Sequence, residues 1–194
     1  RYRGPFTDGT HHLPDERRME QHERRNRILM DINHMETINI YGENRFAEHT
    51  KIREACRGIV VKDGNILLSY MENSDLWMIP GGGVENGESY EDCCIRELAE
   101  ETGILVKPLY CSLIINEYYK EYLYSSRYFI CEADRHTERS LTEQEEQEGL
   151  EPRWIPVEKA IEIFAKHQEY GHMETKRGMY FREYKALTAC LLNK

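Results

Sequence analysis

The sequence predicts an α/β domain in which a mixed β-sheet lies between helices. Two apolar runs, Arg53 to Val61 and Ile66 to Met71, flank Lys62-Asp63-Gly64-Asn65, and an Asp-Gly turn between apolar runs is a strong hairpin signal. A glycine-rich loop then feeds an acidic helix, and two further strand-like runs precede two helices with apolar anchors. Strands and helices are mixed here without strict alternation, which points to a mixed sheet.

Along the chain, residues 1 to 30 carry seven Arg against five acids, a charge of +2, while the other 164 residues carry −11. That stretch reads as an appended arm. Pro14 to Met30 could form a helix with Leu13, Ile28, Leu29 and Met30 as anchors, the alternative being a solvated tail. The arm is expected to dock on its own domain or on a partner subunit, which divides the chain into an arm and linker, 1 to 50, and a domain, 51 to 194. After the first hairpin, Glu72 to Asp75 is a polar loop and Leu76 to Pro80 is extended. Leu105 to Glu117 and Tyr122 to Ala133, rich in Ile, Leu, Tyr and Phe, predict two strands paired across Tyr119-Lys120-Glu121. Asp134 to Gly149 is acidic and reads as a long mobile loop. A short strand at Leu150 to Val157, a helix to about His167 and a last helix from about Glu174 to Leu192 complete the chain.

The formal charge of −9 argues against a broad nucleic-acid or membrane surface, and no run of eighteen apolar residues or apolar leader is present. Six cysteines, at 56, 93, 94, 111, 131 and 190, form no CxxC pair and read as reduced, mostly buried thiols of a cytoplasmic protein. The eight histidines show no metal-ligand spacing.

The acidic helix is the most informative element. Ser89 is its predicted N-cap, with Asp92 three residues on, and Gly103 its left-handed stop, so it spans about Tyr90 to Thr102. Glu97, Glu100 and Glu101 then emerge on one face within about one turn. Like charges at this spacing cost roughly 0.2 to 0.5 kcal/mol per pair, and the helix dipole disfavours anions in the last turn. Arg96, four residues from both Asp92 and Glu100, cannot neutralise the whole cluster alone. A hard divalent cation bound by carboxylate oxygens would do so, whereas taken alone a charge run is usually a solvated face.

The spacing decides between them. Gly82, five residues, Glu88, seven residues, Arg96-Glu97-Leu98, one residue, Glu100-Glu101, one residue, Gly103-Ile104 matches the Nudix box at every defined position. Nine such matches arise by chance in on the order of one in a million chains. The chain resembles a Nudix hydrolase, and Trp77 to Gly83 looks like that family's lead-in to the box.

The resemblance implies a Nudix-type α/β/α sandwich and hydrolysis of a nucleoside diphosphate linked to another moiety. It implies Mg²⁺, with Mn²⁺ as the substitute, held by the Gly81 carbonyl and by Glu97, Glu100 and Glu101. Glu97 enters either as ligand or as general base, Arg96 as the partner that orients the carboxylates, and Glu88 as a loop residue tied back to the helix. Gly82 and Gly83 allow substrate to approach the backbone, and Tyr119, with neighbours Tyr118 and Tyr122, sits where related chains place a base-stacking aromatic. The family also recruits a carboxylate from a later loop, here Glu143, Glu145, Glu146 or Glu148. The expected partner is a small anionic nucleotide, with homodimerisation as a family expectation. Two rival readings are an RNA 5′-end pyrophosphohydrolase whose basic arm grips phosphates and a nucleotide-sensing module without catalysis, which commonly lacks the box carboxylates present here.

Overall fold

A computed structural model describes residues 35–192. The arm helix expected at Pro14 to Met30, and its docking, lie outside the described residues. Seven strands form one mixed sheet: β1 (Glu36–Tyr41), β2 (Lys51–Lys62), β3 (Asn65–Met71), β4 (Leu76–Met78), β5 (Ile104–Tyr119), β6 (Tyr122–His136) and β7 (Leu150–Pro156). The helices are α1 (Tyr90–Thr102), α2 (Glu143–Glu148), α3 (Val157–Ala165) and α4 (Glu174–Leu187). Strand order is β1-β5-β6-β2-β3-β4, with β7 also paired to β3; β1–β5 and β2–β6 are parallel and the other pairs antiparallel.

Local chemistry explains the elements. The β2–β3 turn has positive φ at Asp63 (51°) and Gly64 (75°), the combination that matches the twist of a two-residue hairpin. Ser89 Oγ accepts from Asp92 N at 3.1 Å to start α1, and Gly103 ends it at φ 68° with its N–H on Ala99 O.

Side chains alternate across β2 and fill two cores. Cys56 and Val60 pack with Cys93, Cys94 and Leu98 of α1, whereas Ile59 packs with Tyr128 and with Phe164 and Tyr180 of α3 and α4. Helices therefore cover both faces of the sheet, the predicted sandwich. All six cysteines are free thiols, five of them buried.

Three features depart from the sequence reading. Glu36–Tyr41, in the stretch taken as linker, adds an edge strand to β5. The loop expected from Asp134 to Gly149 is shorter, because β6 runs to His136 and a capping box at Thr142 and Glu145 nucleates α2. The two C-terminal helices also end early: α3 passes into a 3₁₀ turn at Lys166–Tyr170, and α4 into a π turn at Thr188–Leu192. Among the described residues no helix is long and apolar enough to cross a membrane.

Candidate active site

The glycine-rich loop is fastened to the free edge of β2. Beyond Val61 and Lys62, β2 and β3 no longer pair, and the loop takes the vacated edge: Gly58 N donates to Pro80 O, Cys56 N to Gly82 O and Val84 N to Glu54 O, at 2.9 to 3.1 Å. Gly81 has φ 139°, a conformation L side chains rarely adopt, and a Cβ there would collide with the Cys56 carbonyl. Gly82 leaves room for Glu97, whose carboxylate fills the space a Cβ would take.

Arg96 is the hub of the box. Its Nε and Nη2 donate to Glu88 Oε1 and Oε2 at 2.8 and 2.9 Å, its Nη1 to Glu97 Oε1 at 2.8 Å and Glu100 Oε2 at 3.1 Å, and its Nη2 to Gly83 O at 3.1 Å. This fork pulls the Glu88 carboxyl from 4.5 down to about 2. Glu88 Oε2 also accepts from Glu85 N at 3.0 Å, so Glu88 joins the loop to the helix through Arg96.

Glu101 lies deeper. Its Oε2 accepts from Ser69 Oγ at 2.7 Å and from Gly81 N at 3.3 Å, and burial pushes its carboxyl up to about 8 despite the Ser69 bond. Burial raises Glu97 as well, against the pull of Arg96. In both, burial is the larger cause, because it disfavours the charged form.

Among the described residues no three His, Cys, Asp or Glu side chains stand placed to hold a metal ion together. Glu97 and Glu100 are turned to Arg96, and Glu101 to Ser69 and the Gly81 amide. The donor chemistry nonetheless fits a hard divalent cation: three carboxylates share one helix face, and among the described residues Arg96 is the only guanidinium hydrogen-bonded to any of them, to Glu97 and Glu100.

These groups line a cleft of about 870 Å³. Glu145 of α2 joins them and its charge raises Glu97 and Glu101 further, whereas Glu143, Glu146 and Glu148 do not line the cleft. Of the three tyrosines singled out, only Tyr119 faces it; Tyr118 stacks on Tyr41 and Tyr122 on Tyr124. Ser69, Arg53, Arg57, Glu174 and Arg182 were not foreseen. Strand parity could have placed Arg53 and Arg57 on one face, but nothing in sequence brings Ser69 or α4 to the box.

A NUDIX domain model matches residues 53–175. An ADP-ribose pyrophosphatase of Methanocaldococcus jannaschii is 43% identical over 56 residues, covering 27% of this chain and 33% of that protein. An RNA pyrophosphohydrolase of Sphingopyxis alaskensis is 37% identical over 62 residues, 29% of this chain and 39% of that protein. The chain thus spans little more than a third of the length of these curated relatives. Among solved structures, a NUDIX hydrolase from Nitrosomonas europaea superposes with a TM-score of 0.49 at 19% identity, over 70% of this chain and 90% of that one.

Proposed function

Because this chain belongs to the Nudix family, we propose that it is a pyrophosphohydrolase that cleaves a nucleoside diphosphate linked to a second moiety. The observation that carries this reading is the wall formed by Glu97 and Glu100, oriented by Arg96, and Glu101, oriented by Ser69, facing a cleft large enough for a nucleotide.

Water attacks phosphorus, and the bridging P–O bond breaks as the new one forms. A pyrophosphate resists this attack because its own oxygens repel the nucleophile, so charge neutralisation and a positioned water are required. Mg²⁺, or Mn²⁺ in its place, would supply both when bound, by neutralising phosphate oxygens and acidifying water. Glu97, Glu100 and Glu101 would hold it, with the carbonyl of Gly81, whose N–H meets Glu101, as the further ligand the resemblance implies. A carboxylate takes the proton of the attacking water: Glu97, if it is not engaged as a ligand, or Glu145, both of which line the cleft. Arg96 fixes the orientation of Glu97 and Glu100, and Ser69 that of Glu101. Gly82 and Gly83 leave the backbone accessible from the cleft.

The RNA pyrophosphohydrolases among the relatives keep a second reading in view, removal of pyrophosphate from an RNA 5′ end. One screen tests both: Mg²⁺-dependent phosphate release from nucleoside triphosphates, oxidised nucleotides, ADP-ribose, nucleotide sugars, dinucleoside polyphosphates and 5′-triphosphorylated RNA, with Glu101→Gln as control. Release that Glu101→Gln abolishes is the expected result. Nucleotide binding without release from any substrate or metal would shift the reading to a sensing module.

A further inference from the structure

The glycine loop is held to β2 by a side chain as well as by backbone bonds. Cys56 N donates to Gly82 O and Gly58 N to Pro80 O, and the residue between these two donors is Arg57. Side chains alternate along a strand, so while Cys56 packs against α1, Arg57 enters the layer that Ile59 shares with α4. From there it turns back to the loop. Its Nη1 donates at 2.8 Å to the carbonyl of Ile79, the first residue beyond β4, and its Cα lies 2.7 Å from where a Cβ on Gly81 would stand.

Stability does not account for this arginine. Only 9% of Arg57 is exposed, yet its charge meets Glu183 of α4 at 3.8 Å, beyond hydrogen-bond reach, and its Nε donates to nothing among the described residues. A buried arginine with an unmatched donor and a distant counter-charge is a costly arrangement, and well-packed apolar side chains in place of a buried ion pair are often neutral or stabilising. What Arg57 does satisfy is the Ile79 carbonyl. Ile79 is fully buried where the chain leaves β4, and a buried carbonyl there needs a donor to hold its place.

The consequence reaches the box through two residues. Ile79 is followed by Pro80, whose ring fixes φ at about −65°, and then by Gly81, whose N–H donates to Glu101 Oε2 at 3.3 Å. Moving the Ile79 carbonyl therefore moves the Gly81 amide and its contact with Glu101. Glu183 steadies Arg57 from the other side. The cleft wall opposite the box, a face of α4 with Glu174, Gly178 and Arg182, thus bears on the box through the Arg57 side chain.

We propose that Arg57 is a positioning residue: anchored on Glu183, it holds the Ile79 carbonyl and so keeps the Gly81 amide against Glu101. Its effect on turnover rests on the pyrophosphohydrolase reading, whereas its effect on the loop does not.

Pro80-Gly81 is the only Pro-Gly pair in the chain. Labelling proline with ¹³C at the carbonyl and glycine with ¹⁵N therefore isolates the Gly81 amide in an NMR spectrum, recorded without added Mg²⁺. Arg57→Met, which removes charge and donors together, should shift that signal and speed its hydrogen exchange by about tenfold or more. Arg57→Lys keeps the charge and a donor and should do so less. Tyr128→Phe is the control. It removes the hydroxyl from Glu183 Oε2, the oxygen that Arg57 does not pair with, so it should lower the melting temperature and leave the Gly81 signal in place. On the substrate cleaved fastest in the phosphate-release screen, Arg57→Met should lose about tenfold or more in kcat with KM within about threefold. Arg57→Lys should recover part of that loss, and Tyr128→Phe should turn over as wild type does. An unmoved Gly81 signal in the Arg57 variants, an equal displacement in Tyr128→Phe, or a loss confined to KM overturns the proposal. Where Arg57→Met does not fold, the Gly81 signal of Arg57→Lys decides alone. A chain with a displaced Gly81 that hydrolyses nothing refutes the enzyme reading and leaves this role standing; a hydrolase whose Gly81 stays in place refutes this role alone.

Discussion

Glu183 Oε1 accepts a 2.6 Å hydrogen bond from Arg182 Nη2, its neighbour in sequence, at a point where Glu183 is fully buried. The other oxygen, Oε2, accepts from the Tyr128 hydroxyl at 3.1 Å, and Arg57 Nη1 approaches Oε1 at 3.8 Å. Arg182 extends the network to Glu117 of β5. Two arginines and two glutamates thus fasten α4 to β2, β5 and β6, and the same arginines line the cleft. The cleft wall that carries Glu174 and Gly178 is therefore positioned by buried charge as well as by apolar packing.

Removing one member should be severe. Glu183→Ala would leave Arg57 and Arg182 short of their shared counter-charge in the interior, and breaking a buried pair in this way typically costs about 3–5 kcal/mol. Glu183→Gln keeps one acceptor oxygen for Arg182 and turns its NH2 to the Tyr128 hydroxyl as a donor, so it should cost less. Urea unfolding midpoints of the two variants measure this, and an alanine variant within about 1 kcal/mol of wild type would show that the network contributes little.

Gly81 and Gly82 are adjacent yet should fail differently. A Cβ on Gly81 meets backbone, the Cys56 carbonyl and the Arg57 Cα, and the position also requires φ 139°, so Gly81→Ala should lower the melting temperature by several degrees. The atoms nearest a Cβ on Gly82 are those of the Glu97 carboxylate, the far end of a flexible side chain. Gly82→Ala should melt close to wild type while turnover falls by about 10²-fold or more, as misplaced catalytic groups do. Parallel melting curves and rate measurements check the pair; identical behaviour of the two variants would contradict the geometry.

The loop carboxylate can be assigned by a similar contrast. Glu145 lines the cleft and raises the proton affinity of Glu97 and Glu101, while Glu146, one residue on, does not line it. Glu145→Ala should lower kcat by about 10- to 100-fold, in the range expected for a group that assists proton transfer or charge stabilisation. Because Glu145 also caps α2 through Thr142 N at 2.7 Å, Glu145→Gln separates the two roles: the amide retains the cap and lacks the charge. Glu146→Ala should leave kcat unchanged.

What was legible in the sequence was local. The cap at Ser89, the stop at Gly103 and the turn at Asp63-Gly64 depend on residues within a few positions of one another, and each forms as expected. The box carboxylates were legible for the same reason, since one helix fixes their mutual spacing. Ser69 reaches Glu101 across 32 residues, and Tyr119 meets Glu174 across 55, so those contacts depend on how β3, β5 and α4 pack. Asp134 to Gly149 misled for a third reason: six polar residues at Glu143–Glu148 carry no apolar stripe, and only the Thr142–Glu145 capping box marks them as helical.

The tie between Glu88 and Arg96 predicts part of the acid limb of stability. Arg96 holds the Glu88 carboxyl at about 2 in the folded chain, against an ordinary value of 4.5 that the unfolded chain regains. A carboxyl depressed on folding contributes stability that is fully present above its unfolded value and is lost as pH falls through the folded one. The destabilisation caused by Glu88→Gln should therefore be constant from about pH 7 down to about pH 5.5 and shrink steadily below about pH 4.5. Urea midpoints of wild type and Glu88→Gln measured across that range test it. A difference that grows on acidification has the wrong sign for a depressed carboxyl and would detach Glu88 from Arg96.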